Sequence, residues 1–178
     1  QMLDWVKLAE ERSFIVVAPE LRGTSAVPMP AAEKQIARQF EDERRILGIV
    51  RHLRGAYNIS EDRVFLTGWS AGNFAVMFTG LRNPQVFRAI AIQQGNFDLA
   101  YVEGLRERID PHQPVCVLYG SMDLLTGRDG RKCIRWLEEG NVNLHHRELS
   151  GGHRGHPEPT QEFFEQVFNF ACCVPMSP

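Results

Sequence analysis

The sequence predicts an α/β fold in which a mostly parallel sheet carries helices on both faces. Three observations carry that prediction. Short apolar runs rich in β-branched residues recur along the chain, as expected of strands buried on both faces. Amphipathic stretches of helical period separate them, and buried strands alternating with helices form parallel sheets. Hydrophobic residues make up 43 % of the 178 residues, enough for one core, so a single domain over 1–178 is expected.

Along the chain, Leu3, Val6 (beside Trp5) and Leu8 give a short amphipathic helix. Phe14-Ile15-Val16-Val17-Ala18, stopped by Pro19, reads as a fully buried strand. A loop marked by Pro28 and Pro30 follows. From Ala32 to about Gly55, Ile36, Phe40, Leu47, Val50 and Leu53 fall at helical spacing. Residues 58–62 punctuate, and Arg63–Thr67 is the next strand. A helix from the Gly68–Gly72 turn to about Leu81 closes at Asn83-Pro84. Ala89–Ile92 and Pro114–Tyr119 are further buried strands. A helix over Arg131–Glu139 stops at Gly140, as helices often do. Val142–Leu149 alternates like an edge strand, and Pro157 to about Cys172 is a closing helix.

Composition removes several functions. The net charge is −2 and the basic residues are dispersed, which argues against a nucleic-acid partner. No apolar run reaches the length of a membrane span. Cys116, Cys133, Cys172 and Cys173 lack the C-x-x-C spacing of a zinc site or redox pair; no cofactor is expected. They leave the compartment and oligomeric state unread.

Chemistry concentrates in the loops beyond the carboxyl ends of the strands, where sites of open α/β sheets lie. Gly68-Trp69-Ser70-Ala71-Gly72 fits G-x-S-x-G between a buried strand and a helix, the setting of a nucleophile elbow. The bland alternative is a tight turn with a capping serine. A serine hydroxyl needs a base. His52 lies within a helix, His112 precedes a strand, and His145 and His146 lie inside one. His153 and His156 alone follow the last strand, and the flexible Ser150-Gly151-Gly152 approach favours His153. Asp123 follows the Pro114–Tyr119 strand and is favoured as the acid over Asp98, which follows the strand before it. Asp110 and Asp129 read as solvated loop residues. The order Ser70, Asp123, His153 is the serine–acid–histidine order of this elbow class.

These stretches, with Phe14–Pro19, Glu41-Asp42-Glu43, Tyr57-Asn58-Ile59 and Asp62-Arg63-Val64, resemble the α/β-hydrolase superfamily. The likeness is to its polyhydroxybutyrate depolymerase, feruloyl esterase and phospholipase/carboxylesterase group. It implies a serine esterase that cleaves carboxylic esters through an acyl-enzyme, without a metal. It assigns Ser70, Asp123 and His153 as the triad and the Ala71 N–H as an oxyanion donor. It also implies an N-terminally incomplete domain, because the strand and His-Gly loop that supply a second donor should precede Leu3. In that case Phe14–Ala18 either closes onto Arg63–Thr67 or leaves a gap beside it.

The expected substrate is a small-molecule or polymer-end ester. The segment from Gln94 to about Gln113 is short for a lid, so an open cleft lined by Trp69, Phe97, Met122 and Leu124 is expected. Two other readings stay open. One is a peptidase or acyltransferase on the same triad, since the fold does not choose the acyl acceptor. The other is a non-catalytic module or inactive fragment.

Overall fold

The computed structural model describes residues 2–24, 31–102 and 104–172, with side chains placed up to Phe168. The loop expected around Pro28 and Pro30, and Cys173, lie outside the described residues. In order, the chain forms α1 (Met2–Arg12), α2 (Ala32–Ala56), β1 (Phe65–Trp69), α3 (Gly72–Arg82), β2 (Ala89–Gln93), β3 (Pro114–Gly120), α4 (Gly127–Glu139), β4 (Asn143–Leu149) and α5 (Pro157–Cys172). Among the described residues the strands make one parallel sheet in the order β1-β2-β3-β4. The α/β class and its parallel sheet are as expected.

Side chains alternate across the sheet with the period of two that a strand imposes. Ile90, Ile92, Val115 and Val117 point into a larger core with Met77, Phe78 and Leu81 of α3 and Ile134 and Leu137 of α4. Ala89, Ala91, Cys116 and Leu118 face the other way, onto Phe163, Phe164 and Val167 of α5. Every residue of β2 is buried, whereas β4, at the edge, shows the exposed pattern its polar sequence predicts.

The long helix α2 behaves differently from its apolar periodicity. Ile36, Leu47 and Val50 pack partly against the core and Ile46 is buried in it, but the rest of the buried face is polar, made by Gln35, Gln39, Asp42 and Glu43. Asp42 accepts the Arg22 and Gly23 N–H groups at 2.8 and 2.7 Å, and Gln35 Nε2 donates to Gly23 O at 2.7 Å. The helix thus holds a polar loop in place as well as covering the sheet.

One strand expectation fails. Phe14–Ala18 joins no ladder, and Ile15 and Val17 are exposed. The segment does not close onto β1. An open cavity of about 640 Å³ separates them, lined by Ile15 and Val17 on one side and Phe65 and Leu66 on the other. A second, of about 550 Å³, opens between the same segment and Val50 and Leu53 of α2. The physical reason is that a strand exists only as a pair, so an apolar run with no neighbour at hydrogen-bonding distance stays single. The predicted start of the next strand also shifts, because Glu61–Arg63 forms a 3₁₀ turn and the ladder begins at Phe65.

Candidate active site

Gly68, the next-to-last residue of β1, lies in close contact with the helix that follows. A Cβ there would lie 2.7 Å from both Gly72 O and Val76 Cγ2, so only glycine lets α3 start directly above β1. Ser70 then takes a left-handed conformation with φ 55°. That conformation is uncommon for a residue with a side chain and is found where surrounding structure enforces it. Its N–H donates to Gln93 O at 3.1 Å, and its carbonyl accepts from Asn73 and Asn96 N–H at 3.1 and 3.2 Å. The elbow is therefore held on three sides. Ala71 caps α3, so its N–H belongs to the amides at a helix start that have no carbonyl one turn earlier.

His153 stands between the other two candidates. Its Nε2 is 3.0 Å from Ser70 Oγ and its Nδ1 is 3.0 Å from Asp123 Oδ2. The Trp69 ring lies 5.0 Å from the imidazole, tilted by 33°, and limits its rotation from one side. Asp123 has a fully buried side chain. Burial opposes its charge, but the Thr126 hydroxyl and N–H, His153 and the Leu125 N–H donate to it, and its pKa falls from 3.8 to about 2. The bonds are 2.6 Å from Thr126 Oγ1, 3.0 Å from Thr126 N and 2.9 Å from Leu125 N. A carboxylate so held stays ionised across the neutral range, and it directs the Nδ1 proton of His153 toward itself. Nε2 is then left free to accept from Ser70.

The competing candidates are placed elsewhere. Asp98 is exposed and accepts the Ala100 N–H at 3.0 Å, capping a short 3₁₀ turn. His156 is buried beside Gln94 rather than facing Ser70. Of the expected cleft residues, Trp69, Met122 and Leu124 are exposed, the last at 98 %. Phe97 is a correction: it is buried in the larger core, with its ring 6.0 Å from that of Trp136. Its backbone follows the catalytic edge, but an apolar ring beside a buried tryptophan turns inward. Thr126, Gln93, Gln94 and Asn96 surround the site without having been singled out by the sequence. Asn96 Oδ1 lies 3.5 Å from Ser70 Oγ. The two adjacent glutamines at the end of a buried strand were the one signal available. Among the described residues no group of three His, Cys, Asp or Glu side chains is placed to hold a metal ion. None of the described helices is long and apolar enough to cross a membrane.

The model of the prolyl oligopeptidase family matches residues 3–108, more than half of the chain and the part that contains the elbow. The chain belongs to that family. It is thereby a member of the α/β-hydrolases, and the hydrolase class expected from the elbow holds. The matched part stops before Asp123 and His153. No curated protein matches the sequence.

Solved structures repeat the fold of this prolyl oligopeptidase family member. The Bacillus cereus carboxylesterase superposes with a TM-score of 0.65 at 16 % identity, covering 93 % of this chain and 82 % of that one. Arabidopsis thaliana SOBER1 gives 0.61 at 18 % identity over 85 % of this chain and 71 % of its own. A thermostable esterase is 26 % identical, with a TM-score of 0.53 over 70 % of this chain. The match spans 35 % of that esterase.

Proposed function

We propose that the chain is a serine hydrolase that cleaves carboxylic esters through an acyl-enzyme at Ser70. The observation that carries this reading is the position of His153, at 3.0 Å from both Ser70 Oγ and Asp123 Oδ2. In the proposed reaction Ser70 Oγ attacks the ester carbonyl carbon while His153 Nε2 takes its proton. Asp123 stabilises the imidazolium that forms, and the Ala71 N–H donates to the oxyanion. Collapse expels the alcohol, which takes the proton back from His153. Water then repeats the sequence on the acyl-serine, releasing the acid and restoring Ser70. No step calls for a metal or cofactor. Trp69, which precedes Ser70, and Met122 and Leu124, which flank Asp123, offer exposed apolar surface for the acyl or alcohol part.

A specific observation supports a second reading, a peptidase on the same three residues: the matched family is named for an oligopeptidase. The ester reading draws instead on the exposed apolar side chains of Trp69, Met122 and Leu124 and on solved relatives named as esterases. Hydrolysis of p-nitrophenyl acetate measured beside a peptide p-nitroanilide separates the two. Preferred turnover of the ester, lost in Ser70→Ala, is expected. Turnover of the anilide alone would install the peptidase reading, and turnover of either by Ser70→Ala would end both.

A further inference from the structure

The loop that carries His153 is fastened on both sides. Before His153, backbone bonds from the β3–α4 loop hold it: Ser121 N donates to Leu149 O at 2.8 Å and Met122 N to Gly151 O at 3.0 Å. After His153 the fastening comes from two buried side chains at the end of β2. Gln94 Oε1 accepts the Arg154 N–H at 2.6 Å, one residue beyond His153. Gln93 Oε1 accepts the His156 N–H at 2.7 Å, while Gln93 Nε2 donates to Thr67 Oγ1 at 2.8 Å.

The backbone of Gln94 is committed as fully as its side chain. Its N–H donates to Leu118 O at 2.7 Å, and its carbonyl lies 2.9 Å from Thr126 Oγ1, whose hydroxyl also meets Asp123 Oδ2. One residue therefore touches the loop of the candidate base and the threonine that holds the candidate acid. It does so in a left-handed conformation, φ 45°, which a side-chain-bearing residue adopts only under constraint. Gly120 makes room for it: a Cβ there would lie 2.9 Å from Gln94 Nε2 and 2.6 Å from Gly151 O.

The direction of each bond is fixed by elimination. Arg154 N–H is a backbone donor, so it must face the amide oxygen of Gln94. The amide nitrogen of Gln94 then faces His156 Nε2, 2.7 Å away, and donates to it. His156 Nε2 is thus an acceptor, and the ring is neutral with its proton on Nδ1. Its surroundings agree: burial first, and Arg154 next, lower the pKa of His156 from 6.5, while Glu158 opposes them.

We propose that Gln94, braced by His156, is a positioning residue that holds His153 in line with Ser70. The proposal rests on the reading of Ser70, His153 and Asp123 as a catalytic set. Neither Gln94 nor His156 touches the reacting atoms. Their effect is to fix where the imidazole stands, and a displacement of about 1 Å in such a group costs on the order of 100-fold in rate.

The test compares Gln94→Met, Gln94→Glu and His156→Ala with the parent chain. Turnover of p-nitrophenyl acetate and the rate of Ser70 labelling by a fluorophosphonate are measured, with near-ultraviolet circular dichroism as the check on folding. Gln94→Met should lower kcat about 10- to 100-fold with KM little changed, because the lost alignment matters in the transition state rather than in binding. Gln94→Glu keeps an oxygen for Arg154 N–H and offers another to His156 in its Nε2–H form, so it should recover most of that loss. His156→Ala should show a smaller fall than Gln94→Met. A folded Gln94→Met variant with kcat and labelling rate within a factor of two of the parent overturns the proposal. So does a loss that disappears once rates are normalised to folded protein. If Gln94→Met does not fold, a folded His156→Ala variant with unchanged kcat overturns it instead. Failure of the underlying reading looks different: the parent chain itself would not be labelled, or Ser70→Ala would keep its turnover.

Discussion

Replacing Asp123 by Asn should silence turnover by a route that can be followed atom by atom. Asp123 Oδ1 accepts two backbone N–H groups, from Leu125 and Thr126, at 2.9 and 3.0 Å. An asparagine must keep its oxygen there, which turns its amide nitrogen toward His153 Nδ1 and Thr126 Oγ1. The threonine hydroxyl adapts by donating to Gln94 O, already 2.9 Å away. His153 adapts by presenting Nδ1 as an acceptor, so its proton moves to Nε2 and faces Ser70 Oγ. A base in that tautomer cannot take the serine proton, and the expected fall in kcat is about 10⁴-fold, the magnitude seen for this change in serine proteases. Stability changes by a separate and calculable amount. The shift of the carboxyl from 3.8 to about 2 means that the folded site prefers the charged form by about 2 kcal/mol. Because the folded pKa is depressed, that contribution is present above the unfolded value. It is lost as pH falls from near 3.8 through about 2. Urea denaturation of parent and variant should show a gap of about 2 kcal/mol at neutral pH that closes over this window. Near-parental kcat in the variant would refute the tautomer argument, and a stability gap independent of pH would refute the electrostatic one.

The remaining expectations are briefer. Ser70→Ala should abolish ester turnover and fluorophosphonate labelling while keeping a cooperative melt; retained turnover counts against the nucleophile. Asp98→Asn should leave kcat within a factor of two, since Asp98 caps a turn away from Ser70 and His153. Gly68→Ala should cost about 1–3 kcal/mol or more in denaturant, because its methyl would meet the backbone carbonyl of Gly72; a neutral effect would contradict the elbow geometry. The depressed pKa of His156 means the unfolded chain binds more protons there, so stability should rise with pH up to about 6.5. Denaturation of His156→Ala across that range should show the slope reduced, and an unchanged slope would place the titration elsewhere.

The sheet was legible in the sequence to the extent that its strands are buried on both faces. Ala89–Gln93 is apolar throughout apart from its last residue and is buried throughout, so composition and environment coincide. Phe14–Ala18 is apolar throughout and fails, because an apolar run reports what side chains prefer and not whether a second backbone lies alongside. The three candidate catalytic residues were legible because each follows a strand, and the edge of a parallel sheet is a single place. Thr126 and Gln94 were not. Thr126 acts on a carboxylate three residues earlier in its own loop, a short-range pair that was not singled out, and Gln94 acts on a backbone N–H sixty residues away that no spacing along the chain marks.

Glycines marked the elbow in the sequence, yet the left-handed backbone there belongs to Ser70, and the one at the end of β2 belongs to Gln94 rather than Gly95. The glycines serve another need. Gly68 and Gly120 stand where a neighbouring backbone or side chain comes closer than a Cβ allows. Strain is thus carried by residues whose side chains are required at the turn, and space is provided by residues that have none. A glycine at Ser70 or Gln94 would relieve the backbone, but it would remove the hydroxyl from the elbow or the amide from the His153 loop. That exchange accounts for both left-handed side-chain-bearing residues of the site. It also explains why a pattern built on glycine positions finds the turn and misses the residue that braces it.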